Sequence, residues 1–456
     1  MYVHDTIAAI CTPLGEGGIG VIRISGDRAR QIGATIFSGK PDGGFQSHRF
    51  YYGSIIDPVD ENALDEALVV FMQAPRSYTC EDVLEIQCHG GYLVVQQVLG
   101  LVLRQGARLA SPGEFTRRAF LNGRIDLVQA EAVIDVIRGK TEAALALAQQ
   151  QCAGLLSRQI TAIKEGILEA LALVEAYIDF PEEEIEADNI GEINDLVSVA
   201  LIKNTEILAG FNEGRVLREG VSVVIAGKPN VGKSSLLNTL LKEKRAIVTA
   251  IPGTTRDVIE EVVNIRGLPV RVLDTAGICV TDDPIEKEGV LLALGKIPQA
   301  DLLLFVLDAS RALDEDDLFI EKELTGRKFI LVLNKCDLAE AAEIPATLAV
   351  HEKIRISTQS GAGIELLLQA IHDFFMHGRA VDSRDYVALS NSRQRDALEK
   401  CADALQRFKA DVAAGINLEL LAVDLREALH AVGEVTGETT PDEILDLIFQ
   451  RFCIGK

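Results

Sequence analysis

Residues 227–234 read Gly-Lys-Pro-Asn-Val-Gly-Lys-Ser, a complete G-x-x-x-x-G-K-[ST] phosphate-binding loop. The run before it, Val221-Ser-Val-Val-Ile-Ala226, reads as a buried strand, and Ser235-Leu-Leu-Asn-Thr-Leu-Leu241 as the opening of a helix. Strand, loop and helix in that order are what the motif requires, which disfavours the plainer reading of a glycine-rich turn. Successive backbone N–H groups wrap a polyphosphate, and the helix N-terminus adds the positive end of its dipole. The expected contacts are Asn230, Val231, Gly232, Lys233, Ser234 and Ser235. Lys233 reaches the β- and γ-phosphates as a catalytic cation, and the Ser234 hydroxyl ligates Mg²⁺.

Around this loop, residues 216–378 alternate strands and helices. Val221–Ala226, Val270–Leu273, Leu302–Leu307 and Phe329–Leu333 are near-continuous apolar strands. Such runs need cover on both sheet faces, as in a doubly wound parallel α/β sheet. Asp274-Thr275-Ala276-Gly277 ends one strand, where Asp274 meets Mg²⁺ through water and the Gly277 N–H meets the γ-phosphate. Asn334-Lys335-Cys336-Asp337 follows another; Asp337 accepts two N–H groups from guanine, which adenine would leave unpaired. Ser357 and Thr358 suit a second base-contacting loop. Three such motifs in order, each at the carboxyl end of a strand, indicate a GTP hydrolase. Between them, Thr249-Ala-Ile251-Pro-Gly-Thr254-Thr255-Arg256-Asp257 can close over the nucleotide, with Thr255 as the second Mg²⁺ hydroxyl and a catalytic residue. Ile278 stands where Ras-like enzymes carry a water-orienting glutamine, so hydrolysis waits for a partner or another group positions water.

Residues 1–120 carry short strands (Gly20–Ile24, Ala67–Phe71, Asp82–Ile86) and one helix near Leu93–Arg104, a small α+β domain. Gly15-Glu-Gly-Gly-Ile-Gly20 matches the dinucleotide fingerprint but leads into a strand instead of opening a helix, so it reads as a turn. Helical periodicity fills 121–215 and returns over 379–456, which suggests an α/β unit inserted into one helical domain. The net charge of −23 argues against a protein that coats nucleic acid, while leaving room for a local basic patch or a basic partner. Eight scattered cysteines without C-x-x-C spacing fit reduced thiols in a cytoplasmic protein, and no run is apolar and long enough to span a bilayer.

The whole chain resembles one family. The stretches 227–235, 253–257 and 274–278 look like the Era/EngA/MnmE group of GTPases with a hydrophobic residue in place of the catalytic glutamine. Pro112-Gly-Glu-Phe-Thr-Arg-Arg-Ala-Phe-Leu-Asn-Gly-Arg124, His89-Gly-Gly91 and the terminal Cys453-Ile-Gly-Lys456 are similar to signatures of the MnmE (TrmE) family in particular. The resemblance implies an N-terminal tetrahydrofolate-binding and dimerisation domain (1–120), a helical domain in two parts (121–215 and 379–456), and an inserted G domain (216–378). It implies K⁺-dependent GTP hydrolysis, coupled with the flavoprotein MnmG (GidA) in a hetero-oligomer. That reaction adds a (carboxymethyl)aminomethyl group to carbon 5 of the tRNA wobble uridine. The one-carbon unit comes from a 5-formyl or methylene tetrahydrofolate, and FAD and NADH belong to the partner. By position, folate contacts fall on Arg23, Glu85, Arg124 and Lys456; K⁺ ligands on Asn230, Thr249, Ile251 and Thr254; the water-orienting carboxylate on Glu286. Cys453 is a nucleophile or pKa-tuned thiol on this reading, or a structural cysteine. Lys335 and Arg256 support the nucleotide loops, with a catalytic finger as the alternative role for Arg256. The main rival is a ribosome-assembly GTPase of the Era/EngA type, which would need a basic RNA-binding module. The others are a folate transferase with a vestigial G domain and a GTP-binding switch without tRNA chemistry.

Overall fold

A computed structural model of the chain describes residues 5–179, 187–243, 262–274, 300–339, 341–376 and 388–456. They form two units, Met1–Ile134 with Arg426–Lys456, and Asp135–Leu425.

The first unit contains strands β1 (Ile7–Ile10), β2 (Gly17–Ser25), β3 (Arg49–Ile56), β4 (Ala63–Met72), β5 (Val83–Gly90) and β6 (Arg108–Leu109). They make one sheet in the order β3-β4-β5-β2-β1-β6, antiparallel except where β6 runs parallel to β1. Alternating residues of β2, β4 and β5 (Ile22, Ile24, Val69, Phe71, Leu84 and Ile86) point into a core shared with helices α1 (Ala29–Ile36) and α2 (Tyr92–Arg104). That period of two marks a sheet covered on one face. The glycines at 15–20 do enter a strand, because β2 starts at Gly17. Helix α3 (Glu114–Leu121) follows β6, and α4 (Leu127–Arg138) follows α3. The apolar residues Leu127 and Ala130 of α4 cluster with Leu445, Phe449 and Phe452, so the segment after residue 441 packs into this unit.

In the second unit, helices α5 (Glu142–Cys152), α6 (Leu155–Asp179), α7 (Ala187–Ala209) and α8 (Phe211–Glu219) lead into β7 (Val221–Ala226) and α9 (Lys233–Glu243). Then come β8 (Val262–Ile265), β9 (Leu268–Asp274), β10 (Leu302–Asp308), α10 (Glu315–Glu323), β11 (Phe329–Asn334), α11 (Ala346–Ala349), β12 (Lys353–Arg355) and α12 (Ile364–Met376). The sheet order is β12-β11-β10-β7-β9-β8, parallel except for β8 against β9. Strands β7, β10 and β11 are buried along their whole length, as the unbroken apolar runs require.

Helix α13 (Ser392–Ala413) starts at an N-cap where the Asn391 side chain accepts the Arg393 N–H. It packs on α7: Asn204 Nδ2 donates to the Leu398 carbonyl at 2.9 Å, and Lys409 Nζ donates to Ser198 Oγ at 2.8 Å. Helical segments on either side of the sheet therefore meet, and the doubly wound sheet is an insertion in a helical domain. Helices α14 (Leu418–Thr436) and α15 (Asp442–Phe449) complete the chain. Among the described residues no helix is long and apolar enough to cross a membrane.

Candidate active site

Strand β7 lies between β9 and β10, so the strand order reverses direction across the sheet at β7. Ligands of such sheets bind at that point, beyond the carboxyl ends of the strands. There a cavity of about 570 Å³ opens. The nucleotide loop forms one wall with Asn230, Gly232, Lys233, Ser234 and Ser235. Lys335, Asp337 and Leu338 after β11, with Thr358 and Gln359 after β12, form the other. Gly232 has φ 101°, and a Cβ there would lie 2.1 Å from Asn334 Nδ2, so only glycine fits. Lys233 is buried, its Nζ donating to the Lys228 carbonyl at 2.6 Å. Ser234, in the first turn of α9, presents a hydroxyl in the cavity lining. Hydroxyl, phosphate and water oxygens suit Mg²⁺ better than an all-protein cage. No group of three or more His, Cys, Asp or Glu residues suited to a metal occurs among the described residues.

Asn334 is fully buried and joins the walls: its Nδ2 donates to the Val231 carbonyl at 2.8 Å, and its Oδ1 accepts the Thr358 N–H at 3.2 Å. Asp337 is exposed in the lining, open to a base edge. Ser357 is buried, and its hydroxyl accepts the Ser360 N–H at 3.2 Å, so it shapes the turn that presents Thr358. Lys335 has φ 64° and places Nζ 2.6 Å from Asp308 Oδ2. Burial works to raise the Asp308 carboxyl, but hydrogen bonds from Lys335 and Ser310 outweigh it and hold it below its ordinary value. Sequence reasoning missed Asp308. Its one signal is an aspartate ending an apolar strand at the same sheet edge as the motifs. Asp274 ends β9, its backbone in register with Ile225 of β7. Thr249, Ile251, Thr254, Thr255, Arg256, Thr275, Ala276, Gly277, Ile278 and Glu286 lie outside the described residues.

A second cluster occupies the first unit. Arg23 and Glu85 face each other across β2 and β5, with Nε 2.8 Å from Oε1. The Arg23 guanidinium lies 5.2 Å from the centre of the Tyr78 ring, and that of Arg124 lies 4.9 Å from the same ring. Arg124 also donates to the Tyr78 carbonyl at 2.6 Å. The Tyr78 ring thus lies within cation–π reach of both guanidinium groups. Cys11 Sγ donates to the Gly455 carbonyl at 3.1 Å. Gly455 has φ 96°, and a Cβ there would lie 2.3 Å from the Ile10 carbonyl oxygen. Burial pushes the Cys11 thiol up, against Arg23 and Lys456, which pull it down; Glu85 adds to the rise. Arg23, Glu85, Arg124 and Lys456 therefore share one corner, to which the structure adds Tyr78 and Cys11. Cys453 is exposed, and its carbonyl accepts the Gly113 and Lys456 N–H groups at 3.4 and 3.3 Å. Within the 112–124 signature, Arg118 is buried and pairs with Asp5 at 2.5 Å, Glu114 at 3.0 Å and Glu81 at 3.2 Å.

A family model described as the MnmE helical domain matches residues 127–453, and one described as the GTP-binding protein TrmE N-terminus matches residues 6–124. The chain belongs to the MnmE family. A protein described as tRNA modification GTPase MnmE from Geotalea uraniireducens is 62% identical over 456 residues, covering all of both chains. One of the same description from Geobacter sulfurreducens is also 62% identical, again over the whole of both. Among solved structures, Era Y63A of Aquifex aeolicus bound to GDP·AlF4⁻ is 29% identical. It covers 40% of this chain and 66% of that one, with a TM-score of 0.27. The two MnmE matches divide the chemistry: the nucleotide cavity lies wholly in the 127–453 segment. The charged corner draws Arg23, Glu85 and Arg124 from the 6–124 segment.

Proposed function

We propose that this MnmE-family chain hydrolyses GTP in a K⁺-dependent cycle that drives modification of carbon 5 of the tRNA wobble uridine, together with the flavoprotein MnmG (GidA). The chain is a GTP-hydrolysing enzyme of the family, and the observation that carries the reading is the single cavity joining phosphate-binding and base-selecting residues. Backbone N–H groups of the loop and the N-terminus of α9 hold the β- and γ-phosphates. Lys233, seated on the Lys228 carbonyl, brings its ammonium charge to the same oxygens. Ser234 and Thr255 would hold Mg²⁺, which would supply positive charge to offset that of the phosphates. Asp337 selects guanine, Lys335 lies alongside under the hold of Asp308, and Thr358 is fixed by Asn334.

Asn230, Thr249, Ile251 and Thr254 hold K⁺ as an added positive charge at the phosphates, and Glu286 orients the attacking water in place of the glutamine that Ile278 cannot replace. The corner of Arg23, Glu85, Arg124 and Lys456 takes the tetrahydrofolate one-carbon donor. The cations suit its glutamate carboxylates and Glu85 suits the pterin N–H groups. FAD and NADH enter through the partner, tRNA is the substrate, and the chain acts as a homodimer through residues 1–120.

The test is hydrolysis of GTP and ATP by the purified chain in KCl and in NaCl. A reconstitution follows with the flavoprotein, tRNA, tetrahydrofolate donor, FAD and NADH, read by mass spectrometry of the wobble nucleoside. Equal turnover of ATP and GTP refutes the base assignment, and equal rates in the two salts refute the K⁺ role. An unmodified uridine in the complete mixture refutes the coupling, and co-sedimentation with ribosomes would favour the assembly-factor alternative.

A further inference from the structure

Lys228 is the first variable position of the nucleotide loop, and phosphate binding through this motif asks nothing of it. Its side chain is nevertheless only 4% exposed. Nζ lies 2.6 Å from Asp314 Oδ2 and 2.7 Å from Asp317 Oδ2. These two carboxylates form the capping box of α10. Asp314 Oδ1 accepts the N–H groups of Asp316 and Asp317, while Asp317 Oδ2 accepts the Asp314 N–H at 3.2 Å. A lysine is kept buried only where anions meet it, so this geometry is a constraint on the loop as well as on the helix. The Lys228 ammonium holds the Asp314 carboxyl below its ordinary value. The backbone of the same residue carries the second half of the arrangement, since its carbonyl receives Lys233 Nζ at 2.6 Å.

The nucleotide loop is thus tied to its surroundings by Asn334 and by Lys228. Asn334 holds it at the Val231 carbonyl, and Lys228 holds it near its start by reaching to α10. Of the two, only the Lys228 tie leads directly to the atom on which the catalytic lysine rests.

We propose that Lys228 is a positioning residue for GTP hydrolysis, clamping the loop to the α10 capping box so that its own carbonyl holds Lys233 in the cavity. This rests on the GTP-hydrolase reading of that cavity and assigns the N-terminus of α10 a part in it. Removal of the clamp loosens the carbonyl on which Lys233 Nζ rests. Positioning groups of this kind act through small displacements.

The full-length chain carrying Lys228→Met, Asp317→Asn, or both is titrated with fluorescent GDP and GTP analogues, with thermal unfolding followed in parallel. Each single substitution is expected to weaken both nucleotides about tenfold, and the double variant to be no weaker than the poorer single, as for residues acting through one contact. Lys228→Arg restores affinity to within about threefold, because a guanidinium can meet the same two carboxylates. Should Lys228→Met fail to fold, Lys228→Arg and Asp314→Asn carry the test; the exposed Asp314 then accounts for a loss of about threefold. Variants that melt earlier yet bind nucleotide as tightly as wild type when folded show a merely structural pair and overturn the proposal, as do additive losses in the double variant. Wild-type protein that binds neither analogue refutes the GTP-hydrolase reading and this inference with it. Wild-type affinity in the variants refutes this inference alone.

Discussion

Replacing Asn334 with alanine tests whether one side chain holds the two walls of the nucleotide cavity together. The substitution removes a donor 2.8 Å from the Val231 carbonyl and an acceptor 3.2 Å from the Thr358 N–H, at a side chain with no exposed surface. Each buried polar group left without a partner costs about 1–3 kcal/mol, so the pair sets a range of roughly 2–6 kcal/mol. Thr358 borders the cavity and is half-buried, so water can reach its N–H and bring the loss toward the lower end. Bound nucleotide needs the two walls in register, so about 2–3 kcal/mol of the loss falls on binding, which is roughly a 30- to 150-fold rise in Kd. GDP and GTP weaken alike, because the two lost bonds run to Val231 and Thr358. Equilibrium titration with fluorescent GDP and GTP, at a temperature where circular dichroism shows the variant folded, measures it. A Kd within about threefold of wild type for both nucleotides refutes the reasoning, since it would mean that the loops keep their places without the tie.

Arg23→Ala and Glu85→Ala should each weaken 5-formyltetrahydrofolate at least about tenfold by calorimetry, the scale of a lost charge-assisted pair; undiminished affinity in both rejects the corner as the folate site. Asp5 is held below its ordinary value of 3.8 by Arg108 and Arg118, against some burial. Burial pushes Glu114 up from 4.5, but the same arginines and the Ser111 N–H hold it lower. Both carboxyls are depressed in the folded chain, so the stability they contribute is complete above those ordinary values and lost as pH falls through the lowered ones. Arg118→Met should therefore move the acid-unfolding midpoint to higher pH and lower stability at neutral pH by about 3–5 kcal/mol, the cost of breaking a buried pair; an unmoved midpoint in urea or acid titration contradicts it. Burial pushes the Cys401 thiol up to about 12 and Cys88 up to about 11. At pH 8 the Cys88 thiolate is about one part in a thousand. Iodoacetamide followed by peptide mapping should mark the exposed Cys453 in the native protein and those two only after denaturation; native labelling of Cys401 at the Cys453 rate overturns that.

The nucleotide site was readable because each of its parts is local. A short apolar strand followed by three or four characteristic residues brings Lys233 or Asp337 to the sheet edge wherever the rest of the chain goes. Residues that act across the chain left no such mark. Asp308 and Lys335 are 27 positions apart, and an aspartate closing a strand reads equally well as a solvated charge. Lys228 and Asp317 each look ordinary alone; only the packing of α10 against the loop joins them. In the first unit, Arg23, Glu85 and Arg124 came from family resemblance, while Tyr78 and Cys11 carry no spacing that would group them with those residues. Periodicity has the same limit for helices. Leu445, Phe449 and Phe452 recur at helical spacing, yet nothing in that spacing says that their core is Leu127 and Ala130.

The contact between Cys11 and Gly455 spans 444 positions, which has a consequence in time. Strands β3, β4 and β5 pair with near neighbours in sequence, so most of the first sheet can form as soon as it leaves the ribosome. The last strand of that sheet ends at Leu109, so Gly455, which lies against Ile10, follows 346 residues later (455 − 109), roughly 17–70 s at 5–20 residues per second. Throughout that interval the sheet waits with the corner at Arg23 and Glu85 half built. The nucleotide cavity draws on positions 230–359 and is finished earlier. A growing chain therefore gains its nucleotide cavity before its charged corner at Arg23 and Glu85, and a chain arrested between the two would hold the first without the second.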